Sequence, residues 1–367
     1  MKNSIYISDV VPRHLVKQLN ASQASSNFNT HINQLGYFSH HFALPPINVG
    51  RGYKCFKEES TGIEYYAYRK FTHKGIFRML NCFMENLWLF RRVKRLSEQN
   101  VWFYNISKIN CYAYWLLRIF SKKKLFVLLA DYNPNRNKGL YGKMILSGMR
   151  HADGIISLTS RCGELNDNFT CIAGIIPQRK IVRDCGTLKE ERIFMISGAL
   201  TKTTGVDLAL RVFSNIPESK LVISGKGDEE IVAMCEEYSN KYANIQYFGF
   251  FEDYNDFVRL LDSADFILSF RNPELPVNWY NFPSKILESL AIGKIVISTQ
   301  EYPELEGVNY ISLPYSEDAL VKEIRSIANE DYSERFQACK NNSKVLSESF
   351  TENAWLSAFN RIENNVI

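Results

Sequence analysis

The sequence predicts an α/β protein with two wound parallel sheets. Short apolar runs rich in β-branched residues alternate with amphipathic stretches along most of the 367 residues, a pattern typical of parallel strands joined by crossover helices. The chain is also longer than one hydrophobic core usually organises. A charged stretch over residues 174–192 separates two such series, so we predict one domain over residues 1–175 and another over 190–349.

In the first domain, strands are predicted at residues 4–8, 40–43, 62–71, 101–105, 125–130, 154–158 and 168–173. Helices are predicted from Ser25 to about Gly36 and over residues 75–97, 108–121 and 139–152, with a connecting loop over 50–61. Asp131 directly follows the apolar run at 125–130, at the edge where open α/β sheets bind ligands. It is therefore a candidate acidic site residue, unless it only initiates the turn before Pro134.

In the second domain, strands are predicted at residues 194–197, 220–224, 245–248, 266–270 and 295–298, and helices at 206–213, 316–328, 332–346 and 351–364. Glycine-containing loops follow the first two strands, at 198–205 and 225–228. The second loop matches only part of a G-x-G-x-x-G dinucleotide fingerprint, because Glu230 occupies the place of the third glycine.

Residues 281–298 form the most informative unit of the chain. Pro283 suits the first turn of a helix and Gly293 its end. Between them apolar residues recur at helical spacing, and Ser284, Lys285 and Glu288 gather on another face. The helix N-terminus with Lys285 suits a phosphate, and Glu288 suits a sugar diol. The alternative, which spacing alone leaves open, is a solvated Lys–Glu pair on an ordinary helix.

The charge is unevenly distributed. Residues 1–172 carry 24 Lys and Arg and 10 Asp and Glu, a net charge of +14, whereas the remainder carries −9. The predicted helix at 75–97 is amphipathic and cationic, and the basic residues in and around it are Arg69, Lys70, Lys74, Arg78, Arg91, Arg92, Lys94, Arg95, Lys122, Lys123 and Lys124. This distribution suits an anionic membrane surface, an acidic substrate or nucleic acid, or else a solvated helix face.

Several classes of protein receive no support from the sequence. No stretch reaches the ~18 apolar residues of a spanning helix, and the N-terminus does not resemble a signal peptide, so a cytoplasmic protein is expected. The eight cysteines form no C-x-x-C pair and the six histidines show no ligand spacing, so neither a disulfide framework nor a metal site is expected. No D-x-D triplet occurs.

The 198–205 loop, Ala264-Asp265 before a strand, and the 283–298 unit together resemble the GT-B glycosyltransferases, in particular the retaining enzymes of family 4, known as glycosyl transferases group 1. This resemblance implies two Rossmann-like domains that face a cleft, with residues 350–367 forming a helix that returns to the first domain. It further implies that the second domain binds a nucleoside diphosphate-sugar and that the first binds the acceptor.

The family's functional positions are only partly matched. The second glutamate of its E-x7-E motif falls at Glu288, which would hold the ribose, but the first falls at Tyr280, for which Glu274 or Asn278 are possible substitutes. The pyrophosphate-binding Arg and Lys fall at Ala199 and Thr204, so Lys202 and Lys285 are the expected replacements. The resemblance implies catalytic roles for Asp131 and Lys285 and a donor site at Gly198, Leu200, Lys202, Gly225, Lys226, Arg271, Phe282, Pro283, Ser284, Lys285 and Glu288.

The expected activity is that of a metal-independent, hexosyltransferase-like retaining enzyme without a cofactor. It would move sugar from a nucleotide-sugar to a lipid-linked or saccharide acceptor in cell-surface polysaccharide synthesis, either free in the cytoplasm or peripheral on the inner face of the membrane. Two alternatives stay open: a sugar-nucleotide epimerase of the same architecture, and a non-catalytic nucleotide-sugar-binding partner. Nucleic acid is not an expected partner, because no recognised motif accompanies the basic residues.

Overall fold

The computed structural model describes residues 4–12, 23–44, 56–59, 61–66, 76–136, 139–176, 192–329 and 333–366. The chain forms two compact units, of which the first comprises Met1–Ile175 with Glu352–Ile367 and the second Ile176–Thr351. Several predictions lie outside the described residues: the strand over 67–71, most of the charged stretch at 174–192, and the side chains of Arg69, Lys70, Lys74 and Arg78.

The first unit contains one eight-stranded sheet. Its strands are β1 (Ser4–Ser8), β2 (Phe38–Ala43), β3 (Phe56–Lys57), β4 (Glu64–Tyr65), β5 (Asn100–Tyr104), β6 (Lys124–Leu129), β7 (Gly154–Ser157) and β8 (Phe169–Cys171), in the order β3-β4-β2-β1-β5-β6-β7-β8. All neighbours are parallel except β3 and β4. The chain winds from β1 to one side and then restarts on the other, so the topological switch point lies between β1 and β5.

The helices that accompany this sheet are α1 (Gln23–Gln34), α2 (Ile76–Lys94), α3 (Cys111–Phe120) and α4 (Gly139–Arg150). They agree with the predicted helices to within a few residues. The predicted connecting loop at 50–61 contains the short strand β3, which pairs antiparallel with β4. No helix in the described ranges is both long and apolar enough to cross a membrane.

The second unit contains one six-stranded parallel sheet. Its strands are β9 (Ile193–Leu200), β10 (Lys220–Gly227), β11 (Ile245–Tyr247), β12 (Phe266–Ser269), β13 (Ile295–Ser298) and β14 (Ile311–Ser312), in the order β11-β10-β9-β12-β13-β14. Its helices are α5 (Val206–Ser214), α6 (Glu229–Lys241), α7 (Tyr254–Ser263), α8 (Pro276–Trp279), α9 (Ser284–Ala291), α10 (Glu317–Asn329) and α11 (Ser333–Ser349). The switch point lies between β9 and β12.

Two predicted loops of the second unit begin later than expected. Strand β9 continues through Gly198 to Leu200, and β10 continues to Gly227, because the two strands pair with Gly198 opposite Gly225 and Leu200 opposite Gly227. The predicted strands end just before these glycines, because an isolated glycine is usually unfavourable in a strand. The helices α6, α7 and α8 and the strand β14 are not among the predicted elements.

The last helix, α12 (Glu352–Asn364), packs against β7 and β8 of the first sheet. The Trp355 indole N–H donates to the Gly174 carbonyl at 2.9 Å, and the Phe359 ring meets the Trp102 ring edge-on. The Glu363 carboxylate accepts hydrogen bonds from Ser4, Asn100 and Trp102 at 2.6–2.7 Å. The predicted return of the C-terminal helix is therefore confirmed.

The helix α2 is oriented differently from the amphipathic prediction. Leu80 and Phe83, two of the apolar residues that recur at helical spacing, are about two-fifths exposed, whereas Asn81 and Asn86 are fully buried. The reason lies in the contact with α3: the Asn86 amide donates to the Ile109 carbonyl and accepts from the Ala113 N–H. Hydrogen bonds to the start of α3, rather than apolar burial alone, select the inward face of α2.

The expected cationic surface is also smaller than the sequence suggested. Lys123 is buried, and its ammonium group donates to the carbonyl oxygens of Leu96 and Glu98. Burial lowers the pKa of Lys123, while the Glu98 carboxylate opposes that effect. This lysine therefore holds the chain between α2 and β5 in place and does not contribute to a basic surface.

Candidate active site

The ligand edge of the second unit lies at the carboxyl ends of its strands, near the switch point between β9 and β12. Residues 201–205 follow β9 there, residues 270–275 follow β12, and α9 starts on the same side because it belongs to the β12–β13 crossover. Helix α9 buries Ile286, Leu287 and Leu290 and leaves Lys285 and Glu288 exposed. The predicted apolar and polar faces of α9 are therefore confirmed.

Lys285 and Gly198 are in direct contact. A Cβ atom added to Gly198 would lie 2.7 Å from the Lys285 Nζ, so this lysine occupies the space that a side chain would need. Gly198 has a φ of +122° and Gly225 opposite it a φ of +152°, where a Cβ would lie 2.0 Å from the Gly198 carbonyl oxygen. Both positions therefore require glycine, which lets Lys285 reach the backbone of β9.

Although the Lys285 residue as a whole is exposed, its ammonium group lies against Gly198. The protein atoms around its ammonium group lower its pKa by desolvation, and the nearby Glu288 carboxylate opposes that shift. The Nζ also lies 5.5 Å from the centre of the Phe257 ring. No side chain caps the start of α9, so a cation and the first N–H groups of a helix occur together, an arrangement suited to a phosphate.

The other predicted donor residues occupy varied environments. Lys202 forms an ion pair with Glu230 at 2.8 Å, both about two-thirds exposed, and the Lys226 Nζ lies 4.8 Å from the centre of the Phe250 ring. Leu200 is fully buried, so its side chain belongs to the core and only its backbone reaches the edge. The Arg271 carbonyl accepts from the Thr299 hydroxyl at 2.7 Å.

Phe282, Pro283 and Ser284 form the entry to α9. Phe282 and Pro283 are buried, and the Phe282 ring packs edge-on against Tyr302 at 5.2 Å. Their side chains therefore fix where α9 begins and do not face solvent. Ser284 is half-buried as the first residue of the helix.

The two substitutes considered for the glutamate missing at position 280 are not equivalent. Asn278 is almost fully buried, and its amide donates to the carbonyl oxygens of Thr203 and Asn272 at 2.9 and 3.0 Å. It fastens the loop after β9 to the loop after β12. Glu274 is exposed, so it is the carboxylate of the two that solvent reaches.

The ligand edge of the first unit carries Asp131, which is exposed directly after β6. The backbone N–H groups of Ala130 and Asp131 donate to the Asn105 side-chain oxygen at 2.8 and 3.2 Å. Asn105 follows β5 and adopts a positive φ of 51°, a conformation that asparagine tolerates better than most residues. Asn105 therefore fixes the backbone that presents Asp131.

Asp9 follows β1 on this same edge and was not identified from the sequence. Burial raises its pKa to about 6, and the charge of Asp131 acts in the same direction. Burial also raises the pKa of Tyr104, to which Asp131 contributes, and the Tyr104 hydroxyl accepts from Ser25 at 3.2 Å. The position of Asp9 after the first strand was the signal that could have revealed it.

The described residues contain no group of three or more His, Cys, Asp or Glu side chains arranged to hold a metal ion. The two edges carry lysines, a helix N-terminus, hydroxyl groups and carboxylates.

Comparison with known proteins agrees with this reading of the fold. Residues 178–345 match the family described as glycosyl transferases group 1. A search of curated proteins finds no match. Among solved structures, sucrose-phosphate synthase from Thermosynechococcus elongatus is similar over 99% of this chain and 98% of its own, with a TM-score of 0.71 and 13% identity.

A UDP-forming trehalose-phosphate synthase from Burkholderia xenovorans is similar over 100% of this chain and 99% of its own, with a TM-score of 0.66 and 12% identity. TarM from S. aureus, solved in a complex that contains UDP, covers 78% of this chain and 59% of its own, with a TM-score of 0.58 and 13% identity. These likenesses show a shared fold, and the family match concerns the unit that carries Lys285. The chain has the two-sheet fold of the GT-B glycosyltransferases, and its residues 178–345 match the glycosyl transferases group 1 family.

Proposed function

We propose that the chain transfers a sugar from a nucleoside diphosphate-sugar to a lipid-linked or saccharide acceptor, with retention of configuration, in cell-surface polysaccharide synthesis. The observation that carries this proposal is the contact of Lys285 with Gly198 beside the uncapped start of α9. The group 1 family, whose members use nucleotide-sugar donors, supports the donor class.

In this proposal the second unit holds the donor. The Lys285 ammonium and the first N–H groups of α9 bind the diphosphate, with Lys202 and Lys226 as further cations. Glu288, one turn after Lys285 on the exposed face of α9, accepts from the ribose hydroxyls. Gly198 and Gly225 contribute by leaving space for the ligand and for Lys285.

The transfer step needs charge stabilisation more than a nucleophilic side chain. The acceptor oxygen attacks the anomeric carbon on the face from which the diphosphate leaves, the bond from that carbon to the diphosphate oxygen breaks, and the acceptor proton passes to the departing diphosphate. Fixed cations stabilise the negative charge that develops on the leaving group. No metal or cofactor takes part in this scheme.

Acceptor binding is assigned to the ligand edge of the first unit. Asp131 accepts a hydrogen bond from the acceptor hydroxyl and orients it, and Asn105 holds the backbone of Asp131. Asp9, whose pKa lies near 6, adds a second carboxyl group at this edge. We also propose that the protein is cytoplasmic and peripheral on the inner face of the membrane, supported by the net charge of +14 of residues 1–172.

The test is calorimetry with a panel of nucleoside diphosphates and their sugars. Lys285→Ala and Glu288→Ala should each weaken binding of the diphosphate by about tenfold or more, because each removes a charged hydrogen-bonding group. Lys241→Ala is the matched control: Lys241 is an exposed lysine at the C-terminal end of α6, on the side of the sheet away from the ligand edge. Unchanged affinity in both site variants would contradict the assignment.

A second candidate is a protein that binds a nucleotide-sugar without transferring it. Tyr280 stands where the family's sugar-contacting glutamate is expected, and the Asn278 side-chain amide already donates to two backbone carbonyls. Tight donor binding without transfer to any of a panel of acceptors, and without hydrolysis, would favour this candidate. Conversion of the donor alone into another sugar nucleotide would indicate an epimerase instead.

A further inference from the structure

The outward face of α2 is apolar over its first three turns. Its members are between 39 and 50% exposed: Phe77, Met79, Leu80, Phe83, Met84 and Trp88. The inward face of the same turns carries Asn81, Glu85 and Asn86, all buried. This is the reverse of the usual arrangement in a surface helix.

The inward polar residues explain why the helix cannot turn its apolar face to the core. Asn86 joins α2 to the start of α3 through hydrogen bonds to Ile109 and Ala113. Rotation of α2 would leave these buried groups without partners, at a cost of about 1–3 kcal/mol for each unsatisfied group. The apolar face is therefore held outward, and contiguous apolar surface of this kind marks an interaction site.

The charge beside this face selects its partner. The last turn of α2 and the residue after it expose Arg91, Arg92, Lys94 and Arg95. The only acidic residue between 76 and 95, Glu85, is buried. Contact between the Phe90 and Phe120 rings brings the end of α3, followed by the exposed Lys122, next to this basic turn. Two copies of such a surface would repel each other, whereas an anionic lipid surface attracts it.

The apolar turns lie at the same end of the first unit as its ligand edge. The Phe83 ring meets Tyr112 in the first turn of α3 at 5.7 Å, and Tyr112 meets Tyr141 in the first turn of α4. Helices α3 and α4 start after β5 and β6, at the carboxyl ends of those strands. The exposed apolar side chains therefore border the edge that carries Asp131.

We propose that the first three turns of α2 insert into an anionic lipid surface while the basic last turn contacts the headgroups. Docking in this way brings the acceptor edge of the first unit to the membrane, so that the acceptor is lipid-linked rather than a soluble saccharide. The assignment of the acceptor rests on the proposed function, whereas the docking itself does not. The proposal places membrane contact on an apolar face and not on charge alone.

The experiment is sedimentation of the full chain with vesicles of phosphatidylcholine, with and without phosphatidylglycerol. The double variant Leu80→Ser/Phe83→Ser should lower the partition coefficient about tenfold or more, because it withholds two large apolar side chains from the bilayer. Phe248→Ser, a change at a phenylalanine of similar exposure in the second unit, is the control and should bind as the wild type does. Equal loss in both variants, or none in the double variant, would overturn the proposal.

Trp88 supplies a spectroscopic measurement on the same face. Brominated lipid should quench part of the tryptophan fluorescence, and Trp88→Phe should remove most of that quenching. Trp102 and Trp355 are fully buried, Trp279 lies in the second unit, and Trp115 is half-buried on α3 with its indole N–H donating to the Met144 carbonyl. A wild-type dimer in the absence of lipid that dissociates in the Leu80→Ser/Phe83→Ser variant would show a second copy as the partner and overturn the proposal. Calorimetric donor binding without vesicles separates this outcome from failure of the proposed function.

Discussion

The contact between Gly198 and Lys285 allows a sharp test through Gly198→Ala. The substitution adds one methyl group at a position with a φ of +122°, where that group would lie 2.7 Å from the Lys285 Nζ. An ordinary contact with carbon needs about 3.5 Å, so the ammonium group must move by about 1 Å. Because the end of a lysine is flexible, the side chain can move while the fold stays intact.

The effect has two parts. Backbone strain at a positive φ should lower the free energy of unfolding by about 1–3 kcal/mol, which corresponds to roughly 2–4 °C in Tm per kcal/mol for a unit of this size. Displacement of the ammonium group should remove a charge-assisted hydrogen bond to the diphosphate, worth about 1.5–3 kcal/mol. That energy corresponds to about 10- to 150-fold weaker donor binding.

Calorimetry with a nucleoside diphosphate and a thermal melt measure the two parts separately. Gly307→Ala is the matched control, because Gly307 has a φ of +77° with nothing within 4 Å of an added Cβ. It should lose stability through strain and keep its donor affinity. The reasoning about this contact is wrong if Gly198→Ala keeps wild-type affinity while it remains folded. It is also wrong if the loss of affinity in the double variant Gly198→Ala/Lys285→Ala equals the sum of the losses in the two single variants.

Two further predictions concern the first unit. The pKa of Asp9 is raised from 3.8 to about 6. The stability that this protonated carboxyl group allows is therefore fully present below pH ~4 and is lost as the pH rises through about 6. The free energy of unfolding of the wild type relative to Asp9→Asn should fall by up to about 3 kcal/mol over that range, measured by urea denaturation; a pH-independent difference would contradict this. Glu363→Ala leaves three donors of Ser4, Asn100 and Trp102 without their partner and should cost about 2–4 kcal/mol, whereas Glu352→Ala, at an exposed position of the same helix, should cost little.

Much of the fold could be predicted because it depends on local sequence. The unit around residues 281–298 is an example: Pro283 and Gly293 bracket α9, and β13 follows as expected. Helices α6 and α7 were not identified, although both are regular helices of ten residues or more. The predicted strand ends before Gly198, whereas β9 continues to Leu200. Pairing with β10, about 25 residues later in the chain, keeps Gly198 and Leu200 extended, and local sequence does not reveal that pairing.

The sequence predicts which residues lie at the candidate sites, but it does not predict which of them touch. Lys285 and Glu288 share the exposed face of α9, as their spacing predicts. The approach of Lys285 to Gly198 depends on how α9 packs beside β9, which spacing does not specify. Leu200 and Asn278 were considered for the donor site, yet the first fills the core and the second joins two loops.

The alternation of strands and helices and the helix that presents Lys285 and Glu288 could be predicted from the sequence alone, because they depend on residues that are close along the chain. That alternation was enough to predict mainly parallel sheets, since crossover helices join parallel strands. Three features could be seen only in the folded chain: the outward face of α2, the burial of Lys123 against backbone carbonyls, and the presence of Asp9 and Asn105 beside Asp131. Each of these outcomes depends on strands and helices that are far apart in sequence and adjacent in space, and on hydrogen bonds that outweigh the local apolar pattern.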